Sequence, residues 1–166
     1  MHMPLEDKMY RSKKGMEDEI VTLLGGRVAE SIIIGDISTG ASNDIQRVTE
    51  IARGMVTKYG MSDSLGPITF GSGETEVFLG KDYGTVRNYS EEIAKDIDEE
   101  IRKIVTNGYA RCEAVLRENI DKLHLLADYL IANEKIDGED FVKLMEGENV
   151  PPVALEETDG INEIAE

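Results

Sequence analysis

The chain has 166 residues, 40% of them hydrophobic but only 5% aromatic and none Trp, enough for one core built from Ile, Leu, Val, Ala and Met rather than from rings. Eighteen basic residues against 34 acidic ones leave a formal charge of −16, and the one basic cluster (Lys8, Arg11, Lys13, Lys14) is followed at once by acids, so a nucleic-acid partner is not expected. Apolar runs stop at three or four residues, against the roughly 18 that span a bilayer, so no membrane contact by this chain is expected, and the single Cys112 excludes an internal disulfide.

Residues 1–15, with Pro4 and a charged stretch, read as an extended lead-in without the apolar centre of a signal peptide. From Met16 the apolar positions Met16, Ile20, Leu23, Leu24, Val28 and Ile32 keep a helical spacing, and Gly35 ends the helix. Gly25-Gly26 lies inside that pattern. Each glycine costs a helix about 1 kcal/mol against Ala, so the pair predicts a second backbone approaching closely there.

A turn-rich loop, Gly35 to Gly40, leads to a second helix whose expected N-cap is Ser42 or Asn43, with Asn43 and Gln46 spaced as a capping box. Its apolar stripe is Ile45, Val48, Ile51, Ala52, Met55, Val56 and Tyr59, stopped by Gly60. Six glycines and Pro67 then break any helical period between 60 and 89. In this Gly-rich insert Ile68 to Phe70 and Val77 to Leu79 could pair as a small hairpin.

Ser90 opens the longest periodic segment, with Glu91 and Glu92 in the favoured first turn. Ile93, Ile97, Ile101, Ile104, Val105, Tyr109, Cys112 and Leu116 share a face, and the series continues through Ile120, Leu123, Ala127 and Leu130. It forms one long helix, or two with a break near Asn107-Gly108 or Asn119. The leucines 116, 123 and 130 are seven apart; over about two heptads, packing within the chain's own core is preferred to a coiled-coil seam. Asp137 or Asp140 caps a last short helix through Phe141, Leu144 and Met145. Residues 147–166, with Pro151-Pro152 and six acids, read as an acidic, disordered tail. The expected fold is mainly all-α: a bundle of four to five helices over residues 16–146.

Several chemical motifs can be set aside. Gly80-Lys81 would need Gly at 75 and Ser or Thr at 82 to be a phosphate loop; the chain has Thr75 and Asp82. The acids Asp96, Asp98, Glu99 and Glu100 lack the spacing of a calcium loop and read as a solvated helix face. His2 and His124 are the only histidines, and His124 has no His or Cys three or four residues on, so a complete zinc site from this chain alone is not expected. Asp44 is the most informative residue. The helix dipole favours a carboxylate in the first turn of its helix. Asp44 also shares a helical face with Val48, Ile51 and Met55, so its carboxylate is expected to point toward the buried side, where a half-buried anion needs a donor or a cation. A metal would satisfy it.

At this point the string itself becomes recognisable. Residues 23–30 read Leu-Leu-Gly-Gly-Arg-Val-Ala-Glu, residues 38–44 Ser-Thr-Gly-Ala-Ser-Asn-Asp and residues 52–62 Ala-Arg-Gly-Met-Val-Thr-Lys-Tyr-Gly-Met-Ser, followed by Leu65-Gly66-Pro67. With Glu76 to Gly80 and Ile136-Asp137, they make residues 4–146 closely resemble the peptidase domain of FtsH-type ATP-dependent zinc metalloproteases. The resemblance implies an intact protein with a membrane anchor, an AAA+ ATPase module that uses ATP and Mg, and a zinc peptidase domain. It implies a hexamer on the cytoplasmic side of a membrane that unfolds and degrades membrane and cytosolic proteins. The zinc would be held by two His of an H-E-x-x-H helix and one later Asp, which by motif is Asp44. No H-E-x-x-H occurs in this sequence. The resemblance therefore implies a chain that begins after the catalytic helix: a truncated piece, or a natural degenerate copy. Such a piece would be soluble, supply the third zinc ligand and scaffold, contain no catalytic residue, and be inactive with no cofactor bound when alone. The competing expectation is a non-catalytic helical domain for assembly or partner binding.

Overall fold

The computed structural model describes residues 10–71, 89–148 and 150. Among them the regular structure is helical throughout: α1 (Lys13–Ile34), a 3-10 turn (Thr39–Ala41), α2 (Ser42–Thr57), α3 (Glu91–Glu118), α4 (Ile120–Asn133) and α5 (Gly138–Glu146). The mainly all-α expectation holds, with five helices. Of the suggested hairpin, Ile68 to Phe70 carries no strand structure, and Val77 to Leu79 lies outside the described residues. The chain divides into two compact units, Met1–Leu116 and Arg117–Glu166.

In the first unit α1 starts before its apolar stripe because Ser12 caps it: the Ser12 Oγ accepts the Gly15 N–H at 3.0 Å. Met16, Ile20, Leu24 and Val28 then recur every fourth residue and are all buried. Gly35 ends the helix in the left-handed region, φ 72°, with its N–H donating to the Ser31 carbonyl. α2 buries Val48, Ile51, Ala52, Met55 and Val56, and α3 adds Ala94, Ile97, Ile101 and Cys112. Side chains of this size stabilise a fold by about 1.5–3 kcal/mol each when fully buried, so this aliphatic cluster is what holds the unit together. Leu116 packs against it as well.

The close approach anticipated at Gly25-Gly26 occurs elsewhere. A Cβ at Gly25 or Gly26 would meet nothing within 4 Å. A Cβ at Gly108 would lie 2.7 Å from the Ile20 Cγ2 and 3.5 Å from the Leu24 Cδ1. Gly108 therefore lets α1 side chains seat against the α3 backbone, and α3 stays helical through Asn107-Gly108. The break falls at Asn119, the other place the sequence allowed.

After α2 the chain turns at Gly60 (φ 59°), where Pro67 packs so tightly that a Cβ would lie 2.8 Å from its Cα. The Phe70 N–H donates to the Thr57 carbonyl at 2.8 Å, and the Phe70 ring meets Tyr89 edge-on with centroids 6.1 Å apart. The buried Ser62 fixes this loop. Its hydroxyl donates to Glu100 Oε2 at 2.7 Å and accepts the Leu65 N–H at 3.1 Å. That bond is the chief reason the Glu100 carboxyl lies below its ordinary value of 4.5; partial burial opposes it, and Ser64 and Lys103 add to it.

In the second unit Asp137 caps α5, its Oδ1 accepting the Asp140 N–H at 2.8 Å. Gly147, φ 84°, closes it. Leu144 is buried, but α4 buries no residue fully. The leucine series thus divides: Leu116 belongs to the core of the first unit, Leu123 is half-buried and Leu130 is 36% exposed. Core packing, the preferred reading of all three, fits only the first. α4 has only the short α5 to pack on within its unit, too narrow a partner to cover the whole stripe.

Candidate metal centre

The site is built where α1 turns into α2. Once Gly35 has ended α1, Asp36 accepts the Ile37 N–H on its own Oδ1 at 2.8 Å, a local turn that aspartate favours. The Ser38 Oγ then accepts the Gly40 N–H at 3.2 Å and so caps the 3-10 turn Thr39–Ala41. That turn leads straight into α2, since the Ser42 N–H donates to the Thr39 carbonyl.

The expected capping therefore shifts. α2 begins at Ser42, as the sequence suggested, but its cap residue is Ala41, which makes no side-chain bond. Gln46 does not close a capping box on Asn43; its amide donates to Glu50 Oε1 at 3.0 Å, one turn further on. Ser38 instead caps the 3-10 turn that precedes the helix.

Asp44 falls in the first turn of α2, as expected. Its expected burial is not found: Asp44 is exposed. It does share a face with the buried Val48, but a helical side chain leans toward the N-terminus of its helix. Asp44 therefore reaches past the core layer, and the last residues of α1, Ile33 and Ile34, are themselves 46% and 70% exposed and do not cover it. Among the described residues the Asp44 carboxylate has neither a hydrogen-bond nor an ion-pair partner. It is an oxygen donor at the positive end of a helix, open to solvent and uncommitted, which suits a carboxylate ligand of zinc.

One carboxylate on α1 braces this helix junction, and another pairs with α2 away from it. Glu30 Oε2 accepts the Ser38 N–H at 3.2 Å. Bonds from the Ser38 hydroxyl and N–H, helped by Arg27, hold the Glu30 carboxyl below its usual range. Glu19 pairs with Arg11 and, at 3.3 Å, with Arg47 of α2. The sequence reading passed over Glu30. Its signal lay in the Ser38-Thr39-Gly40 turn, whose free amides need acceptors.

The other candidates stay apart. His124 is exposed on α4, and His2 lies outside the described residues. Among the described residues no three His, Cys, Asp or Glu side chains gather as a metal site. Asp44 belongs to no such group among the described residues. Cys112 is buried in the core, which pushes its thiol up and leaves it inert.

Similarity to known proteins places these residues in context. The model of Peptidase family M41 matches residues 1–144. The chain is 60% identical over 153 residues to the ATP-dependent zinc metalloprotease FtsH 1 of Thermoanaerobacter sp. (strain X514), covering 92% of this chain and 25% of that protein. It is 58% identical over 145 residues to the ATP-dependent zinc metalloprotease FtsH of Caldicellulosiruptor bescii, covering 87% and 24%, and 48% identical over 150 residues to that of Bacillus subtilis (strain 168), covering 90% and 24%. The chain spans about a quarter of the length of these relatives.

Proposed function

The chain belongs to Peptidase family M41, and we propose that it is part of an ATP-dependent zinc metalloendopeptidase in which Asp44 is one protein ligand of the zinc. The observation that carries this reading is the exposed, uncommitted Asp44 carboxylate in the first turn of α2. The remaining ligands, two His of an H-E-x-x-H helix, would come from outside this sequence, which has no such motif. Zinc bound there would supply a water of lowered pKa for peptide hydrolysis. What this chain does is hold one carboxylate in place on a rigid helix, against a core that fixes α1, α2 and α3.

In this reading the helical part of the peptidase domain runs to 146 and starts at Lys13, three residues before the expected 16, because Ser12 caps α1; the residues before it are a lead-in and 147–166 an acidic tail. ATP and Mg would act on a separate module. The whole protein would assemble as a hexamer on the cytoplasmic face of a membrane and act on unfolded protein chains. No described helix is long and apolar enough to cross a membrane. The test is Asp44→Asn in the intact protein. An amide oxygen is neutral and a poorer zinc donor, so bound zinc, read by atomic emission, and casein turnover should both fall sharply. A fully active, fully zinc-loaded variant would remove Asp44 from the metal.

A further inference from the structure

We propose that Ser38, held by Glu30, is a positioning residue for Asp44: it fixes the 3-10 turn that leads into the first turn of α2, and so holds the carboxylate there. The inference rests on the reading of Asp44 as a zinc ligand.

The segment between the two helices has no apolar anchor. Residues 33–40 are exposed throughout, and Ile37, the one large side chain between Gly35 and Ala41, is 60% exposed. Nothing in the core therefore decides the path of this loop; its hydrogen bonds do. They run in sequence from α1 to α2. The half-buried Glu30, on the last turns of α1, takes the Ser38 N–H at 3.2 Å. The Ser38 Oγ takes the Gly40 N–H at 3.2 Å, and the Thr39 carbonyl takes the Ser42 N–H at the start of α2.

The Ser38 N–H binds the Glu30 carboxylate while the Ser38 oxygen receives the Gly40 N–H on a lone pair. One serine thus links a carboxylate on α1 to the 3-10 turn that leads into α2. Without the hydroxyl, Gly40 loses its acceptor, and the turn is free to unwind. Asp44 lies two residues into α2, where fraying of the first turn would move it directly. Val48, one turn on, is fully buried and would keep the rest of α2 in place. The predicted defect is therefore a misplaced ligand on an intact fold. Groups that orient a ligand typically cost ~10- to 100-fold in metal affinity when lost.

The test compares the intact protein with Ser38→Ala, Ser38→Thr and Asp44→Asn. Each is dialysed against a graded series of a zinc chelator, the retained zinc is measured by atomic emission, and the zinc-free form is melted. Ser38→Ala should lose zinc at ~10-fold lower chelator or less, with an unchanged melting temperature of the zinc-free form. Ser38→Thr, which keeps the hydroxyl, should restore wild-type retention. Wild-type retention by Ser38→Ala overturns the proposal, as does a zinc loss that Ser38→Thr shares or that comes with a lowered melting temperature of the zinc-free form. Full retention by Asp44→Asn overturns the ligand reading and this proposal with it. Loss by Asp44→Asn alone leaves the ligand reading standing and overturns only the role of Ser38.

Discussion

Gly108→Ala should destabilise the chain, although an alanine in mid-helix is ordinarily the better residue. The new Cβ would lie 2.7 Å from the Ile20 Cγ2, a separation that real Cβ atoms do not tolerate, and 3.5 Å from the Leu24 Cδ1. Both neighbours are 1% exposed, and a β-branched side chain in a helix keeps essentially one χ1 rotamer, so Ile20 cannot swing its methyl aside. Intrinsic propensity favours Ala over Gly by about 1 kcal/mol. Overpacking a filled site costs about 1–3 kcal/mol, so the balance is a net loss of about 1 kcal/mol. Urea denaturation of the chain reads it directly, with Gly25→Ala and Gly26→Ala as comparators. Those two face open space inside α1 and should each gain up to about 1 kcal/mol. The crowding has a second signature. In an Ile20→Ala background the same Gly108→Ala change should become neutral or stabilising, because the methyl it strikes is gone. Gly108→Ala as stable as wild type, or equally costly in both backgrounds, would refute the reasoning.

Three further outcomes are expected. In this chain Asp44→Asn should change the thermal melt by less than about 1 kcal/mol, since an exposed first-turn carboxylate contributes only the dipole interaction; a loss of several kcal/mol would make Asp44 a structural residue. Glu100 should make stability depend on acid: its folded value lies below 4.5, so the unfolded chain takes up the proton first, and the contribution, intact above 4.5, is lost as pH falls through the folded value. Glu100→Gln should flatten that part of a stability–pH curve, and an unchanged slope would show that the Ser62 bond contributes nothing. Gly60→Ala should cost at least about 1 kcal/mol by urea denaturation, because φ is +59° and the Pro67 Cα leaves no space for the methyl.

The helices were legible because their signals are local. Met16, Ile20, Leu24 and Val28 announce a helix by spacing alone, and Gly35, Asp137 and Ser90 announce its ends by chemistry that acts within three or four residues. What failed required knowing which elements meet. Gly25-Gly26 and Gly108 look alike in a sequence, each a helical glycine that costs propensity. Only the placement of α1 against α3 shows that Ile20 fills the notch at Gly108 while the pair faces open space. The spacing of Leu116, Leu123 and Leu130 is equally regular, yet Leu116 packs on the core of the first unit while Leu130 is 36% exposed.

Asp44 shows the same division at the scale of one side chain. Its type, its place in the first turn and its resemblance to a zinc-ligand position could all be read from Ser-Asn-Asp and the helix that follows. Its exposure could not, since a helical wheel assigns a face but not how far the covering layer extends along it. The correction strengthens the chemistry. An anion buried among Val48, Ile51 and Met55 would pay for desolvation and would have to find a compensating donor within the fold. A carboxylate exposed ahead of that layer incurs no such penalty and is stabilised by the helix end. The local fold then has only to keep the first turn of α2 from fraying. With no apolar side chain anchoring residues 36–40, that task falls to the bonds among Glu30, Ser38 and Gly40. They are short-range polar contacts that leave no hydrophobic periodicity to read, which is why they became visible only in three dimensions.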